Sequence, residues 1–218
     1  MKQYTDAELQ SNYDTFMTAL GRVFNGERLE KLNLMYSEEE LGGNLILSPA
    51  SGNINYHNAY PGGYIDHVMN VVRNSMKIKA LYQEQGGFID FTDEELLFSA
   101  FHHDLGKLGT KGIMEYVPQT NDWYIKNRGA NYERNKKLSW LDHNDRTTFL
   151  LNQYGIKYTE NEFMGMKLTD GMYEKTNEKY YMVYDTDKYL RSNIQYILHW
   201  ADHMSTCIER DFIKQAPF

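Results

Sequence analysis

The sequence predicts an all-α fold, a helical bundle interrupted by a small β-hairpin or irregular flap, on three observations. Apolar residues recur at three- and four-residue spacing in separate stretches, as in Ile65, Val68, Met69, Val72 and Met76. Residues that start helices stand ahead of them: Thr92 with Glu95 as a capping box, Thr159, and Thr5 or Asp6. Periodicity fades mainly between Gly109 and Trp140, where aromatic and polar residues alternate.

Composition narrows the functional classes. A chain of 218 residues with 41% apolar and 14% aromatic residues can bury one substantial core, so one domain is the default. A net charge of -7 argues against broad nucleic-acid binding and for a small partner. The single cysteine, Cys207, excludes an intrachain disulfide and cysteine-rich zinc sites, so any metal must be held by imidazoles and carboxylates. The N-terminus has no apolar signal core and no run is long enough to span a membrane. A cytoplasmic location without a membrane partner is expected.

In chain order, Leu9, Phe16, Met17, Leu20, Val23 and Phe24 define a first helix that Gly26 should end, and Leu29 to Met35 a short second one. The Pro-, Ser-, Asn- and Gly-rich segment LILSPASGNINYHNAYPGG reads as a loop carrying His57. A long helix follows from Gly62 to about Leu81, with Gly63, His67, Asn70 and Asn74 in one column beside the apolar face. The next, TDEELLFSAFHHDLGK, has its apolar face from Leu96 to Leu105, with Gly106 as a stop and His103-Asp104 at its C-terminal end. An imidazole and a carboxylate at the negative end of a helix dipole suit a cation.

Two short strands are expected near Glu115-Pro118 and Trp123-Lys126, joined at Thr120-Asp122. Lys126, Arg128, Arg134, Lys136 and Lys137 make this flap the one clearly basic stretch, either a solvated loop or a cover that brings charge and Trp123, Tyr124 or Trp140 to a nucleotide. His143 opens a further helix to Gly155, Thr159 caps another that Thr169-Asp170-Gly171 terminates, and the tyrosine-rich stretch from Tyr173 to Tyr189 reads as a loop. The last helix places Ile194, Ile197, Leu198, Ala201, Ser205 and Ile208 on its buried stripe, with Asp202 at the edge, where a carboxylate needs a cation or several donors. His199 and His203 have metal-like spacing but lack a glutamate between them, and Asp202 is better placed.

His67 on one helix, His103 and Asp104 at the end of the next long helix, and Asp202 on the last helix can bind one transition metal and leave positions open for water and substrate. With this set, and with HHDLGK at its centre, the chain resembles the HD-domain metal-dependent phosphohydrolases. SPASGNINYHNAYPGGYIDHVMNVV, LDHNDRTTFLLNQYG and HWADHMST are similar to segments of a small bacterial and phage subgroup, so the resemblance runs from about Ser48 to Glu209. It implies a catalytic domain over residues 46–218, with residues 1–45 as an N-terminal helical extension packed on its core.

The resemblance further implies that His67, His103, Asp104 and Asp202 hold one divalent ion (Mn, Fe, Co, Ni or Zn, with Mg also compatible). Asp104 would also accept a proton from water. Lys107 would steady substrate phosphate, His143 would face the substrate or a second ion, and His57 is a candidate for phosphate contact or leaving-group protonation. Thr169 stands where the subgroup commonly has histidine, which implies a second metal that is weak or absent. Trp123, Arg128, Thr169 and Asp170 complete the candidate substrate contacts. The expected substrate is a nucleotide, a nucleoside monophosphate or a deoxynucleoside triphosphate. The alternatives are a cyclic-nucleotide phosphodiesterase or 3'-5' exoribonuclease, a di-iron oxygenase, and a nucleotide-binding protein without turnover. A homodimer is common among such relatives.

Overall fold

The structure, a computed structural model, describes residues 2–182, 185 and 187–215, with side chains described to residue 211. Three residues of the tyrosine-rich stretch expected as a loop (183, 184 and 186), and the side chains at the far end of the last helix, lie outside the described residues. Helices dominate, with one small antiparallel sheet, as the sequence predicts. Among the described residues no helix is long and apolar enough to cross a membrane.

Helix α1 (Asp6–Val23) begins in a capping box in which the Glu8 amide donates to the Thr5 hydroxyl and the Thr5 amide donates to the Glu8 carboxylate. Gly26 does not end α1, as expected, but opens α2 (Gly26–Met35) with φ +53°. After a π turn at Glu38–Gly42 comes α3 (Gly43–Leu47), two elements that the acidic and glycine-rich sequence conceals. Phe16, Leu20, Phe24, Leu32, Met35, Tyr36 and Leu45 from this N-terminal part share one core with Tyr64, Val68, Phe98 and Phe101. Phe16 meets both Tyr36 and Phe101 edge-on, at 5.2 and 5.5 Å between centroids. Burial of each such side chain contributes about 1.5–3 kcal/mol.

Helix α4 (Gly63–Glu84) is the central element and packs on both α5 (Asp93–His102) and the last helix. The paired glycines at its start have separate roles. Gly62 takes φ +83°, whereas a Cβ on Gly63 would lie 2.1 Å from the Asn58 carbonyl oxygen. This close approach folds the 48–62 loop back against α4 and lays His57 beside His67. Capping-box geometry at Thr92 starts α5, and a 3-10 turn at Leu105–Leu108 follows His103 and Asp104.

The flap differs from expectation in its second strand. β1 (Tyr116–Pro118) pairs antiparallel with β2 (Tyr132–Arg134), not with residues 123–126. Those residues belong to α6 (Asp122–Arg128), because the Asn121 side chain caps the Trp123 amide and Gly129, with φ +64°, closes the helix. Local capping outweighs the strand preference of Trp123, Tyr124 and Ile125. Then follow α7 (His143–Gln153), α8 (Glu160–Lys167), α9 (Glu178–Tyr181) and α10 (Ile194–Gln215). On α10 the expected stripe is buried through Ser205, but Ile208 is 56% exposed and Glu209 turns inward in its place.

Candidate metal centre

Four side chains from three segments converge where α4, the end of α5 and α10 meet. His67 Nε2 lies 3.1 Å from Asp202 Oδ1, 3.4 Å from His103 Nε2 and 3.7 Å from Asp104 Oδ2. His103 Nε2 is 3.5 Å from Asp104 Oδ2 and 3.9 Å from Asp202 Oδ1. An ion at about 2.0–2.2 Å from each nitrogen or oxygen would leave adjacent donors about 3.0–3.5 Å apart, close to these separations.

Hydrogen bonds behind the rings aim both imidazoles inward. His103 Nδ1 donates to the Ala100 carbonyl at 2.8 Å, and His67 Nδ1 donates to Glu209 Oε2 at 3.0 Å. Because a carbonyl only accepts, Nε2 of neutral His103 carries a lone pair toward the centre. Two such lone pairs 3.4 Å apart beside two carboxylates require a shared proton or a cation between them. Without a cation, burial lowers the His67 pKa, but Glu209 and Asp202 outweigh it and push it up to about 10. The residues therefore fit a divalent metal, which would take the place of that proton.

Glu209 was not foreseen from the sequence. It lies seven residues after Asp202, two turns along the same face of α10, and its other oxygen accepts from Asn70 at 2.7 Å. The column Gly63, His67, Asn70 and Asn74 faces this region as a unit, with Asn74 donating to Ser205 at 2.9 Å.

Lys107 and His57 flank the four donors. Lys107 Nζ donates to Asp104 Oδ2 at 2.6 Å. Burial alone would raise the Asp104 pKa, but Lys107, then His103 and His67, hold its carboxyl well below the usual range. The Asp104 charge in turn raises the Lys107 pKa against its burial. The His57 ring sits 4.5 Å from the His67 ring, is buried, and has both nitrogens without a hydrogen-bond partner among the described residues. Burial first, and then His67, push its pKa down to about 2, so the ring is neutral. His57, His67 and Glu209 form a second cluster of donor atoms overlapping the first.

The remaining candidates lie outside this group. His143 is set against Glu115 (3.9 Å) and Tyr116 (6.4 Å between rings). Buried Glu115, also not foreseen, pairs with Arg134 at 2.6 Å and Arg146 at 3.6 Å. In the sequence Glu115 stands among apolar neighbours, between Met114 and Tyr116, with no local sign of its buried ion pairs. Trp123 and Arg128 pack on each other on the exposed face of α6, the guanidinium 5.7 Å from the ring. Thr169 turns its hydroxyl to the Gly165 carbonyl at 2.7 Å and is buried, so it presents no donor atom where an imidazole would extend the ligand set. Asp170 is exposed at the rim. The protein packed around it, and then the Asp104 charge, raise its pKa. His199 anchors the backbone behind this rim, donating from Nδ1 to the Thr169 carbonyl at 2.6 Å.

No family model, curated protein or solved structure matches the chain.

Proposed function

We propose that the protein is a metal-dependent phosphohydrolase of the HD-domain kind, cleaving a phosphoester or phosphoanhydride bond of a nucleotide with one divalent transition metal held by His67, His103, Asp104 and Asp202. The observation that carries this reading is the approach of His67 and His103 to each other and to the Asp104 and Asp202 carboxylates, at 3.1–3.9 Å, with a lysine ammonium on Asp104. A site built only to stabilise the fold needs no such cation. A phosphoryl group does, and the neutral His57 ring adds a hydrogen-bonding partner on the same wall.

When bound, the metal supplies Lewis acidity to water and to a phosphoryl oxygen. Lys107 binds a second phosphoryl oxygen and offsets the charge that develops during cleavage. As its hydrogen bond passes from Asp104 to the phosphate, the charge that depresses the Asp104 carboxyl moves away, and Asp104 becomes able to take the proton of the attacking water. His57, neutral and shielded, suits contact with a phosphoryl oxygen better than protonation of the leaving group. Glu209 keeps His67 in the tautomer that presents Nε2.

The test is product release from nucleoside mono-, di-, tri- and cyclic phosphates and short RNA with Mn, Co, Ni, Zn or Mg, alongside Asp104→Ala. Phosphate, pyrophosphate or triphosphate released by the parent and not by the variant supports the proposal and identifies the bond. No product from any substrate, with metal bound, would overturn it, and oxygen uptake would then indicate the oxygenase.

A further inference from the structure

Behind the Asp170 rim, Gly171, Met172, Tyr173, Tyr181, Tyr196 and His199 line a depression of about 400 Å³, within the size range of small-molecule sites. Its walls are rings. Tyr173 lies 6.3 Å from His199 and is stacked on His203 at 5.5 Å and 22°. On another side Tyr181 and Tyr196 meet edge to face at 5.5 Å.

Two of these rings are locked by the backbone carbonyls of Leu168 and Thr169, next to Asp170. Tyr181 donates its hydroxyl to the Leu168 carbonyl at 3.0 Å, and His199 Nδ1 donates to that of Thr169. With Nδ1 donating to a carbonyl, the tautomer that carries a single ring proton has Nε2 as an acceptor. Gly171, with φ +54°, gives this wall its shape, since a Cβ there would lie 2.6 Å from His199 Cε1. Yet Tyr173 and Met172 remain 78% and 50% exposed, so the mouth of the depression presents apolar surface to solvent.

The position of the depression specifies its ligand. His199 precedes Asp202 by three residues on α10, a rise of about 4.5 Å. Gly171 directly follows Asp170, whose carboxyl feels the charges of Asp104 and Asp202. The residue that feels those charges is thus the chain neighbour of one that lines the ring-walled space, so a nucleotide spanning the two would pass over Asp170. We infer that this depression is the base subsite, which takes the planar heteroaromatic base of the nucleotide between Tyr173 and the Tyr181–Tyr196 pair, with a ring or amino N–H directed to His199 Nε2. The inference rests on the phosphohydrolase proposal for the phosphate end but is separable from it, because a nucleoside lacks the phosphate.

The experiment measures binding of adenosine, guanosine, cytidine and thymidine by calorimetry, and the KM of a nucleoside monophosphate against that of ribose 5-phosphate. Both are done in the parent, in Tyr173→Ala and in Met172→Trp, which fills the depression; the two positions are exposed, so the fold survives. Stacking on one aromatic side chain predicts an affinity loss of about tenfold in Tyr173→Ala and a collapse of the KM advantage over ribose 5-phosphate. Nucleoside binding weakened by both variants supports the subsite even if no phosphate is released, in which case the hydrolase proposal alone fails. Phosphate release with nucleoside affinity and KM ratio unaltered in both variants overturns the subsite and leaves the hydrolase standing.

Discussion

Glu209 Oε2 accepts a hydrogen bond from His67 Nδ1 at 3.0 Å, across the packed faces of α4 and α10. The carboxylate fixes the tautomer and ring orientation of His67 and raises the basicity of Nε2, and Asn70 restrains its second oxygen. Glu209→Gln keeps the shape but sets an amide against the imidazole. Metal affinity, measured by competition with a chelator, is expected to fall about 10–100-fold while the circular dichroism spectrum is retained. Unchanged affinity would show that His67 is held by packing alone.

Much of this arrangement was legible because helix signals are local. Thr5, Thr92 and Thr159 cap as their spacing predicts, and the polar column on α4 marks the wall of the site. Glu209 escaped because Ile208 competes for the same stripe. Hydrophobicity favours burying isoleucine, and only the unseen partners His67 and Asn70 make the glutamate the better residue to bury. The flap escaped for a related reason. Its strand pairing joins Tyr116 to Arg134 across an intervening helix, so it depends on long-range closure rather than on neighbouring residues. Thr169 and Asp170 are candidate substrate contacts in the sequence, but that the residue after them bounds a ring-lined depression depends on Tyr181 and Tyr196 folding onto it.

The close approach of imidazoles and carboxylates makes thermal stability depend on the ion. Binding to the folded chain alone, at a free concentration of 100 times Kd, adds about 2.7 kcal/mol, and for a chain of this size that raises Tm by about 5–10 °C. Mn, Co, Ni or Zn added to chelator-treated protein is expected to produce such a rise, and Asp202→Ala to reduce it strongly. A Tm indifferent to all four metals would contradict the site.

Gly106 separates the centre from the start of α7. Its amide donates to Thr147 Oγ1 at 2.9 Å, and a Cβ would fall 2.1 Å from the His143 carbonyl oxygen. Backbone cannot yield there as a flexible side chain would, so Gly106→Ala must push the turn bearing Asp104 away from α7. A destabilisation of about 2–4 kcal/mol is expected, together with weaker metal binding. Gly21→Ala provides the contrast. It lies within α1 with nothing in reach of its Cβ, and is expected to stabilise by about 0.5–1 kcal/mol. Denaturant melts of the two variants should shift in opposite directions.

Glu115 pins the flap to the body of the protein. Its carbonyl accepts from the Asn135 amide at 2.7 Å, and its buried carboxylate faces Arg134, Arg146 and His143. Burial pushes its pKa up, but the neighbouring His143 and the two guanidinium charges outweigh this and hold it below the ordinary 4.5. A carboxyl depressed in the folded state contributes stability that is complete above its unfolded value and is lost as pH falls through its folded one. Amide exchange at Tyr116, Val117 and residues 132–134 is therefore expected to be slow and level at neutral pH, once corrected for intrinsic rates, and to accelerate below about pH 4.5. Glu115→Gln should show fast exchange already at neutral pH, since it leaves buried Arg146 without its counter-charge, at a cost of about 1–3 kcal/mol. Protection that is equal in both proteins and level through pH 4 would mean that the strand pairing, and not Glu115, holds the flap.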